Sequence, residues 1–311
     1  MEFSLVAPAT GPVNTASRST VAAVRAYVEL LRPPNVATAL ADVLAGYAIA
    51  GLGSHVDARL AWLLVATACL YGGGVVLNDY FDRRIDQTER PERPIPSGRV
   101  PAANAAAFGG VLLAIGVVAG RLASPSAGWV AGVIATLVLV YDAWSKHSAL
   151  LGPINMAACR AFNLLLGVAA AGEMLPVHWR LALLPFFYIW AVTTVSRGEV
   201  HGGRALAATA ALVAMMAVIG ALVVLGVRAD MGKVAAVLLA LALAWRVLPP
   251  YWRARHDGRP AIIRHAVRSG VLSLVLLDAS LSAVYAGTWY ALVVLAAAFV
   301  AGWLARQFAV T

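Results

Sequence analysis

Lysine is almost missing from this chain. In 311 residues only Lys146 and Lys233 occur, so the 24 basic residues set against 15 acidic ones are nearly all arginine. Charge of either sign is scarce, at 13% of the chain, where soluble domains carry about 25%. Set beside 61% hydrophobic residues, that deficit excludes an ordinary soluble enzyme and defines a polytopic membrane protein, with little chain left for a domain outside the bilayer. Cysteine is reduced to Cys69 and Cys159, both in apolar runs, which excludes a disulfide framework or a cysteine metal site. Residues 1–20 lack the apolar core of a signal peptide and read as a disordered tail, leaving 21–311 as a single transmembrane domain. A formal charge of +9 in a soluble protein would raise nucleic acid as a partner. Here the arginines fall between apolar runs, where they orient the chain and meet anionic lipid, and no nucleic-acid partner is expected.

Val21 to Arg32 has the pattern of a short amphipathic interfacial helix, stopped by Pro33 and Pro34. Apolar spans follow near 35–52, 59–82, 102–122, 127–143, 149–172, 179–197, 204–227, 231–248, 261–285 and 288–305, about ten helices of bilayer-crossing length. The last break falls at Tyr285-Ala286-Gly287-Thr288. With a cytoplasmic N-terminus, the inside loops carry Arg83 to Arg99, Lys146 with His147, Arg197 to Arg204, and Arg253 to Arg264. The outside loops carry only Arg59, Arg121, Arg180, Arg228 and Lys233. The asymmetry predicts an inner-membrane protein with its N-terminus and both charged loops of interest in the cytoplasm.

The chemistry concentrates in Leu77 to Arg99. Asn78, Asp82 and Asp86 recur every four residues, so on a helix they share one face, with Asp79 one position aside. Crowded carboxylates repel unless a cation lies between them. Oxygen ligands in this pattern suit Mg²⁺, which commonly shares its coordination with substrate phosphates. Arg90, Arg93 and Arg99 follow on a stretch that Pro91, Pro94 and Pro96 keep from being helical, and guanidinium forks match phosphate geometry.

This string, N-D-x-x-D-x-x-x-D followed by R-P-x-R-P-I-P-S-G-R, resembles the first aspartate-rich motif of the UbiA superfamily of intramembrane prenyltransferases. The resemblance covers roughly residues 28 to 285. It implies about nine helices around a central cavity, with the final span as an addition, and a second D-x-x-x-D motif at the end of the sixth helix. The matching segment here is Ser196 to Arg204, SRGEVHGGR, with Glu199 where the first acid would stand and Gly203 where the second would. That leaves Glu199 to face a second Mg²⁺. His201 can be a further ligand, a base, an acceptor-site hydrogen bonder or a solvated loop residue. If the helix ran on, an aspartate at position 203 would share a face with Glu199 and strengthen metal binding. Together with LRPPN and YDAWSKH, the phrase RGEVHGG is similar to the UbiA-like EboC subgroup.

The resemblance also implies a diphosphate role for Tyr141 and Lys146; interfacial anchoring is the plainer alternative. Asn155, Arg160 and Asn163 interrupt an apolar run. A buried arginine in a bilayer costs on the order of 3 kcal/mol, so Arg160 is expected at a cavity or paired with Asp42. Asn35 is a further cavity candidate, and Asp278 reads as a helix–helix hydrogen bonder.

The resulting expectation is an enzyme. Asn78, Asp79, Asp82, Asp86 and Glu199 hold Mg²⁺ and an isoprenyl diphosphate, with Asp82, Asp86, Lys146 and Glu199 at the reaction itself. Asn35, Arg90, Arg93, Arg99, Tyr141, Asn155, Arg160, Asn163, Arg197 and His201 bind the substrates. An aromatic or other acceptor attacks within the membrane. The competing expectation is a non-enzymatic carrier for a lipid-like natural product.

Overall fold

The computed structural model describes residues 15–199 and 202–307, and among them it is helical throughout, without strands. Helix α1 (Thr15–Leu31) begins upstream of the expected amphipathic segment, within the stretch read as a tail. A left-handed residue, Arg32 (φ 46°), then turns the chain sharply into α2 (Pro33–Ile49), whose first position is proline with its φ already set for a helix. Next come α3 (Ala58–Glu89), α4 (Ala102–Ala123), α5 (Pro125–Ala143) and α6 (Leu151–Val168), with a 3₁₀ turn at Ser145–His147. The chain continues through the short α7 (Leu175–His178) into α8 (Leu183–Ser196), α9 (Ala205–Arg228), α10 (Lys233–His256) and α11 (Pro260–Gln307).

Eight of these segments are long and apolar enough to cross a membrane, and α2 is a shorter apolar helix beside them. The chain is an integral membrane protein. The expected break between the last two spans is at Gly287 (φ 83°), which interrupts α11. With α2 and the two arms of α11, the described residues match the expected core of about nine spans plus one.

Five helix pairings place the site. α3 runs along α4, α11 lies against α2 and α10, and α6 packs on both α2 and α8. At the α2–α6 crossing, Gly46 and Gly167 face each other so closely that a Cβ on either would collide with the other helix's backbone, the small-residue contact that lets membrane helices approach. This draws the polar residues of α6 onto α2. α3 extends two turns past its apolar part, to Glu89, so Asn78, Asp82 and Asp86 do lie on one helix.

Candidate active site

A divided cavity opens between α2, α3, α5, α6, α8 and α11. Its outer chamber, about 330 Å³, is lined by Arg32, Asn35, Asn78, Tyr141 and Asp142 at the polar end. Its deeper chamber, about 290 Å³, carries Thr38, Arg160 and Asn163 among apolar residues such as Ile134, Ile189, Val271 and Leu274. Both share Leu70, Tyr71, Val138, Tyr141, Met156 and Cys159. One end is therefore suited to a charged group and the rest to hydrocarbon.

The three motif aspartates of α3 are each engaged. Lys146 Nζ lies 2.5 Å from Asp82 Oδ1. Arg93, only 8% exposed, bridges Asp86 Oδ2 at 2.7 Å and Asp79 Oδ1 at 3.2 Å, and Arg32 also reaches Asp79 Oδ1 at 2.5 Å. Asn78 Nδ2 donates to Asp142 Oδ1 across the chamber at 3.0 Å. Asp142 Oδ2 is buried without a hydrogen-bond partner among the described residues.

Several expectations change on this geometry. Asp79 and Asp86 turn toward Arg32 and Arg93, away from the shared stripe, so they hold the turn after α3 in place. Arg93 is accordingly a clamp within the protein rather than a phosphate arm. Arg99 points outward, pairing with Glu29 at 2.5 Å and donating to the Glu92 carbonyl. Asn155 does not line the cavity; its Nδ2 donates to Ser145 Oγ at 3.0 Å and so tethers the turn that bears Lys146. Arg160 fulfils both alternatives, lining the deep chamber while its Nε lies 2.7 Å from Asp42 and Nη2 donates to the Thr38 carbonyl. Asn163 joins the same set through Asp42, Ala39 and Thr67. Asp278 is wholly buried, and its carboxyl makes no hydrogen bond among the described residues.

α8 ends at Ser196, so Glu199 and position 203 are not stacked on a helix. Gly203 N donates to the Gly258 carbonyl at 2.9 Å, and a Cβ there would press on Ile263. An aspartate at 203 would not join Glu199. Burial pushes the Glu199 carboxyl above its ordinary range, with Arg264 and then Arg90 partly opposing. Arg197 is exposed and donates to the Ser148 and Lys146 carbonyls. His201 lies outside the described residues.

Two site residues escaped the sequence reading. Asp142 stands four positions before Lys146, a spacing that could have marked it. Arg32 was visible only as part of LRPPN. Among the described residues, no three His, Cys, Asp or Glu side chains converge as a ready metal cage. The oxygens present still fit a hard cation. Asn78 and Asp82 occupy one face of α3, and the unpartnered Asp142 oxygen lies across from them; one or two carboxylates suffice where phosphate supplies the rest.

A cavity polar at one end and apolar along its walls, inside a helical membrane bundle, has the shape and polarity to suit an amphiphile with a charged head. The chain belongs to the UbiA prenyltransferase family, whose pattern matches residues 39–265. It is 36% identical over 182 residues to digeranylgeranylglyceryl phosphate synthase of Ignicoccus hospitalis, a match spanning 57% of this chain and 58% of that protein. The synthase of the same name from Methanopyrus kandleri is 36% identical over 162 residues, 52% of this chain and 59% of its own. The chain thus aligns with less than two thirds of the length of these relatives. The fold is similar to that of a solved digeranylgeranylglyceryl phosphate synthase (TM-score 0.66, 17% identity, 85% of this chain and 98% of that one). It is also similar to a UbiA homolog from Archaeoglobus fulgidus bound to DMAPP and Mg²⁺ (TM-score 0.52, 15% identity, 87% and 99%). The EboC resemblance finds no counterpart in these names.

Proposed function

We propose that the chain transfers an isoprenyl group from a prenyl diphosphate to an acceptor within the membrane. The observation that carries this reading is the outer chamber, where Asn78 of α3 meets Asp142 of α5 above an apolar chamber, with the Asp82–Lys146 ion pair one turn further along α3. Asn78, Asp82 and Asp142 would hold Mg²⁺, which supplies Lewis-acid stabilisation of the departing diphosphate. Lys146 would leave Asp82 for the diphosphate as its charge grows, and Arg32 and Arg90 would add charge-assisted hydrogen bonds. The allylic carbon–oxygen bond breaks, the acceptor oxygen bonds to that carbon, and its proton leaves. The apolar walls at Leu70, Val138 and Met156 keep water from the allylic cation. Both motif loops are read as cytoplasmic, with the prenyl tail lying toward the lipid.

The acceptor reading shifts with the relatives. Two synthases whose name ends in glyceryl phosphate favour a hydroxyl of a lipid-like glyceryl phosphate over an aromatic ring. The EboC resemblance remains the finer alternative. The carrier reading draws on one observation: every acid of the first motif already has a basic partner. One experiment separates these. Purified chain is given geranylgeranyl diphosphate with either a prenylated glyceryl phosphate or a hydroxybenzoate, across a Mg²⁺ titration, and diphosphate release is followed. Mg²⁺-dependent release with the glyceryl phosphate supports the proposal; no Mg²⁺-dependent binding of the donor at all supports the carrier.

A further inference from the structure

We propose that Arg197 and Gly198 after α8, with Gly202, Gly203 and Arg204 before α9, form a second, separate pocket that binds a phosphate group, free or on a lipid head. A cavity of about 380 Å³ lies where the end of α8, the start of α9, Ala149 and Ile263 meet. Two guanidiniums, Arg197 and Arg204, line it. Arg197 is anchored on one side by the carbonyls of Lys146 and Ser148, which fixes its fork and leaves its other N–H groups to a ligand. Arg204 has no ion pair among the described residues. Thr194 Oγ1, on the same wall, is buried without a hydrogen-bond partner among the described residues. Gly198, Gly202 and Gly203 complete the described rim. No carboxylate is among the lining residues.

The chemistry selects a tetrahedral oxyanion. Planar guanidinium forks pair with phosphate oxygens two at a time, and a threonine hydroxyl adds one more donor. The volume exceeds that of a bare phosphate and leaves room for a small head group, against the apolar side chains of Val195, Ala207 and Ala208. The pocket is distinct from the reaction cavity because α8 stands between them. That helix shows Ile189, Val192, Thr193 and Ser196 to the deep chamber, and Thr194, Val195 and Arg197 to the pocket. The segment in which the resemblance placed metal-binding acids thus carries donors that hold an anion directly.

The test uses the full chain with EDTA present, so that any Mg²⁺-dependent donor site is silent. Inorganic phosphate is titrated in neutral phosphatidylcholine nanodiscs while thermal stability is read. In parallel, nanodiscs with added phosphatidylglycerol are compared by native mass spectrometry for retained lipid. Saturable stabilisation by inorganic phosphate identifies a soluble ligand; retention of phosphatidylglycerol that added phosphate does not displace identifies a lipid head. In either case Arg204→Gln and Thr194→Val each weaken the response, the arginine change by about tenfold or more. No response in either arm, or a full response in Arg204→Gln, overturns the proposal. So does loss of Mg²⁺-dependent prenyl-diphosphate binding in Arg204→Gln, which would merge the two sites. Failure of the wild type to bind prenyl diphosphate would sink the transferase reading and leave this one standing.

Discussion

Lys146, in the turn after α5, pairs with Asp82 of α3, Nζ to Oδ1 at 2.5 Å, although 64 positions separate them in the chain. One of only two lysines in the protein is thus spent on the most exposed of the three motif aspartates.

Lys146→Met is expected to lower prenyl-diphosphate turnover by about 100-fold, the scale seen when a single donor to developing negative charge is removed. Diphosphate release under saturating Mg²⁺ measures it. Activity within a few-fold of wild type would restore the view that Lys146 merely anchors the interface.

Arg93→Ala removes the one cation that holds both Asp79 and Asp86. Leaving two buried carboxylates short of a partner costs about 3–5 kcal/mol, read as a lowered midpoint of thermal unfolding in detergent. Arg99→Ala breaks only an exposed pair with Glu29 and should cost no more than about 1 kcal/mol. Equal effects would mean that Arg93 has no clamping role.

Gly203→Asp is expected to destabilise the protein, by about 1–3 kcal/mol for overpacking against Ile263, and to leave Mg²⁺-dependent diphosphate binding no stronger. A Mg²⁺ titration beside a melting curve checks both. Tighter binding at unchanged stability would show that position 203 can reach a metal after all.

Glu199 supplies a pH dependence. Its carboxyl is raised above 4.5, chiefly by burial. An acid favoured in its protonated form by folding contributes stability that is present at low pH and lost as pH rises through the folded-state value. Glu199→Gln removes that loss. The variant should therefore gain on wild type as pH climbs above 4.5, levelling off once Glu199 is ionised. Parallel melting curves across that range in EDTA decide it; a gap that stays constant or narrows contradicts the burial argument.

The spans, the helical stack on α3 and the break at Gly287 were legible because hydrophobic length and residue period survive in a single sequence. Side-chain direction was not. Asp86 lies on the Asn78–Asp82 stripe by spacing, yet Arg93, seven residues on, draws it away from the chamber. Asn155 looked like a cavity residue because an apolar helix explains no asparagine, whereas its partner Ser145 sits in a turn that no period announces. Asp142 went unassigned because its role depends on Asn78, a residue on another helix. The second-motif loop misled most, since reading positions 199 and 203 as neighbours assumed a helix that stops at Ser196.

Asn155 and Ser145 have a mechanical consequence. α6 carries Arg160 and Asn163 on the wall of the deep chamber and, at its other end, the tether to the Lys146 turn. The two chambers are therefore linked in series through one rigid rod. In the proposed reaction, an occupant long enough to press on the lower part of α6 would shift the lysine paired with Asp82, so that the length of the hydrocarbon tail would bear on the placement of the head group.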